Sequence, residues 1–219
     1  MFIVIEGNDG SGKGTQFNLI ADYLRNKGKE IELVDFPQYG KKSAGPVEEY
    51  LNGKYGTLDQ VDSKTASLFY AVDRFDASFK IRNAIEKNKI VLANRYVLSN
   101  AAHQGAKIKD KNERKEFFDW IQNLEYGILK LPKPNLIIFL RVPAAISYEL
   151  VLKKSERKHL EGKKQDIHEA DIEYLKKVEQ TYLELAQQDK DIRTIECVVN
   201  GNLLSVEQIQ KQIIDIINI

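Results

Sequence analysis

A glycine-rich turn near the start of the chain combines residue types that bind phosphate groups. Residues 3–16 read IVIEGNDGSGKGTQ, where a short apolar run enters the turn and an amphipathic pattern leaves it. Gly7, Gly10 and Gly12 can adopt positive φ and let the backbone approach an anion. Successive amide N–H groups and the following helix N-terminus would surround a β-phosphate, and Lys13 would reach the β- and γ-oxygens. Strand, spacing, lysine and helix agree, so the pattern predicts a phosphate-binding loop rather than a glycine turn with an incidental lysine. The predicted loop residues are Gly7, Asn8, Asp9, Gly10, Ser11, Gly12, Lys13, Gly14 and Thr15.

The loop departs from the usual pattern at one position. The pattern G-x-x-x-x-G-K-[ST] places a hydroxyl directly after the lysine to help hold Mg²⁺, whereas this chain has Gly14 and then Thr15. The same GKGTQ string occurs in adenylate kinases, which indicates a nucleotide-kinase variant of the loop. We expect nucleotide oxygens and water to hold most of the Mg²⁺, with Thr15 as a candidate ligand, directly or through water.

Composition excludes several other classes of protein. The 219 residues include 33 basic and 32 acidic side chains, a balance that does not suggest a nucleic-acid or membrane-surface binder. Cys197 is the single cysteine, which rules out an intrachain disulfide and a cysteine-built zinc site, and we expect a buried, inert thiol. No apolar run approaches the roughly 18 residues that span a bilayer. The first residues lack the features of a signal peptide, so we expect a cytoplasmic protein.

The elements that must position the loop alternate along the chain. Five β-rich runs predict strands at residues 2–6, 31–36, 89–94, 135–140 and 192–197, and the middle runs are almost continuously apolar, as in parallel strands covered on both faces. Helical stripes lie between them, such as Phe17, Ile20 and Leu24 before a Gly28 cap, or Val206, Ile209 and Ile213. The alternation predicts one α/β domain over residues 1–219. Its core would be a doubly wound, five-stranded parallel sheet with helices on both faces and a ligand crevice at the carboxyl edge.

A polar, basic segment from about residue 153 to 168 lies between two helical patterns and begins KKSERKHLEGKK. It has few apolar anchors. A mobile surface loop and a lid that covers a substrate both fit this composition.

Several separate segments resemble the thymidylate kinase family, and together they cover most of the chain. They are the loop start EGNDG, DFPQYG at residues 35–40, SLFYAVDRFDAS at 67–78, ANRYVLSNAAHQG at 93–105 and QDIHEADIEYLKKVEQTYLELA at 165–186. The last of these resembles the helix that closes the family's lid. The resemblance implies a P-loop NTPase fold with a small mobile lid.

The resemblance also implies a binding site for dTMP, the phosphoryl acceptor. Tyr70 would lie against the thymine, and Arg74, one helical turn later on the same face, would bind the acceptor phosphate together with Arg95. Without the resemblance, Tyr70 and Arg74 would read as a core aromatic and a solvated arginine. We expect their neighbours Leu68, Phe69 and Phe75 to lie in or near the core.

The remaining acceptor residues follow from the same resemblance. Asp9 would lie near the 3′-hydroxyl and the phosphate, and Tyr96 near the deoxyribose, where a 2′-hydroxyl would clash. Phe36 and Pro37 would line the nucleoside pocket. The base would be faced by Ser99, Asn100 and Gln104.

The chain departs from the family at three positions that matter for charge. Asp35 stands where the family often has arginine, which puts one basic contact in question. Asn94 stands where the family usually has an aspartate linked to Mg²⁺ or its waters, so Asn94 is a candidate metal ligand with an oxygen but no charge. Gly10 stands where some members carry an arginine. The lid should then supply that charge, from Arg157 supported by Lys153, Lys154 and Lys158, although a solvated charge run would look the same.

The implied activity is thymidylate kinase activity: Mg²⁺-dependent transfer of the ATP γ-phosphoryl group to dTMP, for dTTP synthesis. The implied catalytic residues are Lys13, Asp9, Arg95 and Arg157, and the implied assembly is a homodimer. Alternatives are another nucleoside monophosphate kinase of the adenylate kinase type and a non-catalytic nucleotide-binding homologue. The spacing of His103, His159 and His168 suggests neither a metal site nor a base, so we expect surface or pocket-rim positions.

Overall fold

A computed structural model of the protein describes residues 1–152 and 171–218. Its strands are β1 (Phe2–Gly7), β2 (Ile31–Asp35), β3 (Ile90–Asn94), β4 (Leu136–Arg141), β5 (Ile192–Glu196), β6 (Val198–Val199) and β7 (Asn202–Leu203). Its α-helices are α1 (Lys13–Asn26), α2 (Gly45–Leu51), α3 (Ser63–Glu86), α4 (Val97–Gly105), α5 (Lys111–Gln122), α6 (Ala144–Leu152), α7 (Ile172–Gln188) and α8 (Val206–Ile217). A 3₁₀ turn (Lys42–Ala44) precedes α2, and a π-helical turn (Asn123–Ile128) follows α5. The predicted lid lies outside the described residues.

The central sheet is parallel and has the strand order β2-β3-β1-β4-β5. All five predicted strands are confirmed, each with its ends within one residue of the prediction. The first two crossovers build β2 and β3 on one side of β1, and the later ones build β4 and β5 on its other side. Strand β1 is therefore at the centre of the sheet, and a crevice opens at its carboxyl end, where the strand order reverses. A small antiparallel pair, β6 with β7, follows β5 and was not predicted.

Hydrophobic cores lie on both faces of the sheet, as predicted for a doubly wound fold. Along β1, Phe2 and Val4 pack with the helices of one face, and Ile3 and Ile5 pack with those of the other. Residues of α3, α4, α5 and α7 form the first core, and residues of α1 and α8 form the second. Alternate side chains of a strand point to opposite faces, so a continuously apolar strand buries both sets. None of the helices in the described ranges is long and apolar enough to cross a membrane.

The outer side of α3 corrects part of the prediction. Leu68 and Phe75 are 44% and 39% exposed, so they are not core residues, whereas Phe69 is partly buried beside Tyr50. The inner side of α3 is filled instead by small and aliphatic residues such as Ala77 and Ile81. On α8 the buried stripe is Ile209, Ile213 and Ile217, and the predicted Val206 lies exposed in its first turn. Cys197 is buried directly after β5, and burial raises the pKa of its thiol to about 12.

Candidate functional site

The glycine-rich turn joins the central strand to α1 at the carboxyl edge of the sheet. Gly12 caps α1 with a φ of 83°, in the left-handed region that favours glycine, and no acidic side chain lies in the first turn of the helix. Lys13 is buried, and its Nζ donates to the Asn8 carbonyl oxygen at 2.6 Å. The turn therefore presents a helix N-terminus and a lysine held at its base, the arrangement that binds phosphate in nucleotide kinases.

Gly10 is required by contact as well as by conformation. Its φ is 85°, and a Cβ at this position would lie 2.3 Å from the backbone carbonyl oxygen of Ser147 in α6. A larger residue would displace α6 from the loop. This contact accounts for the glycine at the position where an arginine was considered.

A cavity lies at the same edge of the sheet, beside the glycine-rich loop. The cavity wall includes all ten residues predicted to bind the acceptor, together with Tyr39, Leu51 and His103. The ten are Asp9, Phe36, Pro37, Tyr70, Arg74, Arg95, Tyr96, Ser99, Asn100 and Gln104. Residues separated by up to 95 positions in the sequence thus meet around one space beside the predicted phosphate loop.

Arg95 connects this cavity to the loop. Its φ is 65°, and its backbone N–H donates to the Ile5 carbonyl oxygen, which fixes the residue at the end of β1. The guanidinium donates to the Asp9 carboxylate, to the Gly7 carbonyl oxygen at 3.3 Å and to Ser99 Oγ at 3.0 Å. A cation is therefore held between the loop and the cavity, with one carboxylate beside it.

Glu6 is a buried carboxylate that organises the start of α4 and was not predicted. Helix α4 has no side-chain cap of its own, and Glu6 accepts instead from the backbone N–H groups of Tyr96 and Ser99 at 2.8 and 3.2 Å. Ser99 Oγ and the Tyr182 hydroxyl also donate to it. Burial raises the pKa of Glu6, and these hydrogen bonds oppose that rise only in part. Through Ser99, this network also supports Arg95.

Arg74 is paired with Glu125 inside the protein. The Glu125 carboxylate accepts from Arg74 Nε at 2.7 Å and from Nη2, and the side chains are 0% and 2% exposed respectively. Asn100 Nδ2 donates to the same carboxylate at 3.0 Å. Burial is the largest single influence and by itself would lower the pKa of Arg74, but the charge and hydrogen bonds of Glu125, with smaller contributions from Tyr96 and Asp73, together raise it, so the guanidinium stays charged. Glu125 lies in the π-helical turn and was not predicted.

Two amide side chains in the cavity wall have atoms without a hydrogen-bond partner among the described residues. Both Nε2 and Oε1 of Gln104 are buried and unpartnered in this way, and so is Oδ1 of Asn100. Buried polar groups are normally satisfied in folded proteins. These atoms therefore point to a ligand that carries both a donor and an acceptor.

The segment that carries Phe36 and Pro37 is tied to α3 by an unpredicted buried acid, Asp73. Its carboxylate accepts from the backbone N–H of Gln38 at 2.8 Å and from Ser43 Oγ at 2.7 Å. The Phe36–Pro37 peptide bond is cis. This anchoring holds one wall of the cavity opposite α4.

Asn94 ends β3 beside the loop-bearing strand, as its proposed role near a metal requires. Its Oδ1 is buried without a partner in the described part of the chain, so this oxygen is available to a hydrogen-bond donor or a cation. Thr15 lies exposed in the first turn of α1. In residues 1–152 and 171–218, no group of three or more His, Cys, Asp or Glu side chains could hold a metal alone.

His103 is buried in the cavity wall rather than at the surface. Burial and the positive charge of Arg95 lower the pKa of its imidazole to about 3, so the ring is neutral at physiological pH. Glu125, Glu6 and Asp73 were missed because their partners are distant in sequence and no local spacing marks them. Arg157, the supporting lysines, His159 and His168 lie outside the described residues.

Comparisons with known proteins agree with this arrangement. The family model described as thymidylate kinase matches residues 5–213. A thymidylate kinase from Mycobacterium tuberculosis is 33% identical over 189 residues, covering 86% of each chain. A probable thymidylate kinase from Thermococcus onnurineus is 31% identical and covers 99% of this chain and 97% of its own. A solved thymidylate kinase structure from Candida albicans has a TM-score of 0.76 at 24% identity, covers 99% of this chain and 90% of its own, and supports the fold.

Proposed function

Because this chain belongs to the thymidylate kinase family, we propose that it transfers the γ-phosphoryl group of ATP to dTMP, giving dTDP. The observation that carries the proposal is the shared cavity. The ten residues predicted to bind an acceptor nucleotide line one cavity, which adjoins the glycine-rich loop through Arg95 and Asp9.

The acceptor phosphate binds to Arg74 and Arg95. Glu125 already occupies Nε and Nη2 of Arg74, which orients the guanidinium and leaves Nη1 as the nitrogen that Glu125 does not engage. Arg95 lies between this position and the loop. Two fixed cations on either side of a phosphate would orient it toward the donor, and positioning supplies most of the catalysis in phosphoryl transfer.

The base binds against Tyr70 and Gln104. Thymine offers a donor at N3 and acceptors at its two carbonyl oxygens, which match the two unpartnered atoms of the Gln104 amide. A base that lacks this pattern leaves the buried amide unsatisfied, which makes the pocket selective. Tyr96 lies by the sugar, with its hydroxyl held by the Pro132 carbonyl oxygen at 3.1 Å, so it is not able to turn away from a 2′-hydroxyl.

ATP binds at the loop, where the amides of residues 7–15 surround the β-phosphate. Lys13 exchanges its contact with the Asn8 carbonyl oxygen for the phosphate oxygens. Asn94 and Thr15 are the residues that would lie near Mg²⁺ brought in with ATP, which would supply positive charge to the phosphates. Arg157 of the lid would add charge over the γ-phosphate. The acceptor phosphate is anionic at neutral pH, so no residue is needed as a general base, which agrees with the neutral, buried His103.

We also propose that the chain forms a homodimer through the outer side of α3. Leu68, Val72, Phe75 and Phe79 are 44%, 54%, 39% and 61% exposed, and their spacing places them along one stripe of the helix. A run of four exposed apolar side chains is typical of a surface that another chain covers. The cytoplasmic location and the single-domain organisation with an inserted lid stay predictions from the sequence.

A coupled assay of ADP release tests the proposed activity. The enzyme is supplied with ATP, Mg²⁺ and, separately, dTMP, dUMP, dGMP or AMP. We expect turnover to be highest with dTMP. In Arg95→Ala we expect kcat/KM for dTMP to fall by at least about 100-fold, as for the loss of other charge-stabilising groups.

Arg114→Ala is the matched control, because Arg114 pairs with Glu184 on α7 and is absent from the cavity wall. This variant should retain wild-type turnover. Highest turnover with AMP or dGMP would indicate another nucleoside monophosphate kinase. ATP binding without turnover on any monophosphate would indicate a non-catalytic homologue.

A further inference from the structure

Asp35 and Asn94 form a pair at the carboxyl edge of the sheet. They end the adjacent parallel strands β2 and β3 and are direct partners in the strand register. Asn94 Nδ2 donates to Asp35 Oδ1 at 2.9 Å. The backbone of the same region is also tied together, because the Phe36 N–H donates to the Asn94 carbonyl oxygen at 3.0 Å.

This pair determines which way the Asn94 amide faces. An ionised carboxylate only accepts hydrogen bonds, so the amide nitrogen of Asn94 must be the atom that faces Asp35. Oδ1 is therefore the atom presented elsewhere, and it is buried without a partner among the described residues. A buried acceptor without a donor is unfavourable, which indicates that a donor is supplied when the site is loaded.

The pair lies next to the site of the donor nucleotide. Asn94 is in register with Ile5 of β1, the strand that runs directly into the glycine-rich loop. Asp35 is exposed at the edge, yet protein atoms crowd its carboxylate enough to raise its pKa, while Asn94, Arg95 and Lys13 act in the opposite direction. The carboxylate is therefore near enough to Lys13 of the phosphate-binding loop for the two charges to interact.

We propose that Asp35 is a positioning residue for the metal-bound nucleotide. It orients Asn94 so that Oδ1 accepts from a water of nucleotide-bound Mg²⁺, and it supplies the negative charge that the Asn94 amide lacks. A carboxylate behind a neutral ligand fixes the orientation of that ligand and makes it a better acceptor. The two residues together thus do what one carboxylate at the end of β3 would do. The inference rests on the proposed function only in requiring a magnesium–nucleotide donor.

Binding of Mn²⁺, a spectroscopically visible substitute for Mg²⁺, tests this role without turnover. The full-length protein is saturated with the β,γ-imido analogue of ATP, and Mn²⁺ is titrated while electron paramagnetic resonance reports the unbound ion. In Asp35→Asn we expect Mn²⁺ affinity to fall by about 10-fold or more, the usual effect of removing a residue that supports a metal ligand. In the double variant Asp35→Asn/Asn94→Asp, which moves the carboxylate to β3, we expect affinity to return to the wild-type level.

Glu32→Gln is the matched control. Glu32 is also on β2 and pairs with Lys80 at 2.6 Å, but it lies three residues, about 10 Å, before Asp35. Removing its charge should leave Mn²⁺ affinity unchanged. Circular dichroism verifies that each variant is folded.

Three results would overturn the proposal: wild-type affinity in Asp35→Asn, an equal loss in Glu32→Gln, or no recovery in the double variant. The titration contains no dTMP, so its outcome is separate from that of the substrate assay. If Asp35→Asn loses Mn²⁺ affinity while the wild-type protein does not phosphorylate dTMP, the role of Asp35 is supported and the proposed activity is overturned.

Discussion

Replacing Glu125 with glutamine removes the charge opposite Arg74 while keeping the size of the side chain. Both carboxylate oxygens of Glu125 are used, by Arg74 Nε and Nη2 and by Asn100 Nδ2. Glutamine offers one oxygen and an NH₂ group, which would face a donor wherever it is placed. The variant therefore loses a hydrogen bond and leaves the buried Arg74 guanidinium without its hydrogen-bonded counter-charge.

The expected loss of stability is large because both partners are buried. Breaking a buried ion pair by removing one partner costs about 3–5 kcal/mol. For a chain of 219 residues, each 1 kcal/mol shifts Tm by about 2–4 °C, so Glu125→Gln should lower Tm by about 6–20 °C. Glu184→Gln is the matched control. Its partner Arg114 is partly exposed, and such pairs contribute about 0–1 kcal/mol.

Thermal unfolding with and without dTMP then tests what Arg74 binds. If the acceptor phosphate contacts Arg74, it replaces the missing anion in Glu125→Gln. A saturating concentration of dTMP should therefore raise Tm more in this variant than in the wild type, and equally in Glu184→Gln and the wild type. Differential scanning calorimetry measures both shifts.

Two outcomes would contradict the proposed roles of Glu125 and Arg74. A Glu125→Gln variant that melts at the wild-type temperature would show that Glu125 does not neutralise Arg74. A Glu125→Gln variant that is destabilised, yet gains less from dTMP than the wild type, would show that the acceptor phosphate does not reach Arg74.

Two further predictions concern the assembly and the pH dependence of stability. Phe79→Glu places a charge in the exposed stripe of α3 and should convert the dimer to a monomer in analytical ultracentrifugation, whereas an unchanged sedimentation coefficient would contradict the proposed interface. His103 has a folded-state pKa of about 3 against 6.5 for an unperturbed histidine, so the unfolded chain binds the extra proton as pH falls between these values. The free energy of unfolding should then decrease by up to about 1.4 kcal/mol per pH unit because of this residue, and urea denaturation at pH 7, 6 and 5 should show a shallower decrease in His103→Gln. Equal slopes in the two proteins would contradict the burial of a neutral imidazole.

The strands were predictable because their burial on both faces leaves an almost continuous apolar run. Residues 89–94 and 135–140 contain little else, and no helical spacing competes with that pattern. The hairpin of β6 and β7 was missed although Asn200 and Gly201, both with positive φ, form a dipeptide typical of a two-residue turn. Its strands are only two residues long, too short for an alternation to be visible.

The outer side of α3 was misjudged for a different reason. Leu68 and Phe75 are apolar, and in a monomer an apolar side chain is expected inside. The stripe of alanines on the other side, including Ala77 and Ala84, is what faces the sheet, and it leaves the larger residues outward. When both faces of a helix are apolar, the sequence pattern alone does not determine which face packs against the protein's own core.

The cavity wall was predictable because short local segments resemble those of the thymidylate kinase family, although spacing alone did not mark their residues as a site. Tyr70 and Arg74 are one helical turn apart, and Ser99 and Gln104 lie on one short helix. The supporting acids were not predictable. Glu125 is 51 residues from Arg74 and Glu6 is 93 residues from Ser99, so only the fold brings them together. His103 was placed at the surface or rim because a lone histidine carries no signal of burial.

Gln104→Met tests whether this cavity binds dTMP as a phosphoryl acceptor. The substitution keeps the side-chain length and removes only an amide that has no partner in the described part of the protein, so Tm should not fall. With ATP and Mg²⁺, chromatographic detection of dTDP should show turnover of dTMP by the wild type. In the variant, KM for dTMP should rise by about 10-fold, since two lost hydrogen bonds of about 0.5–1.5 kcal/mol each are involved, while KM for ATP stays unchanged. Absence of dTDP with the wild-type protein, or equal KM values for dTMP in the two proteins, would show that dTMP is not the acceptor bound in this cavity.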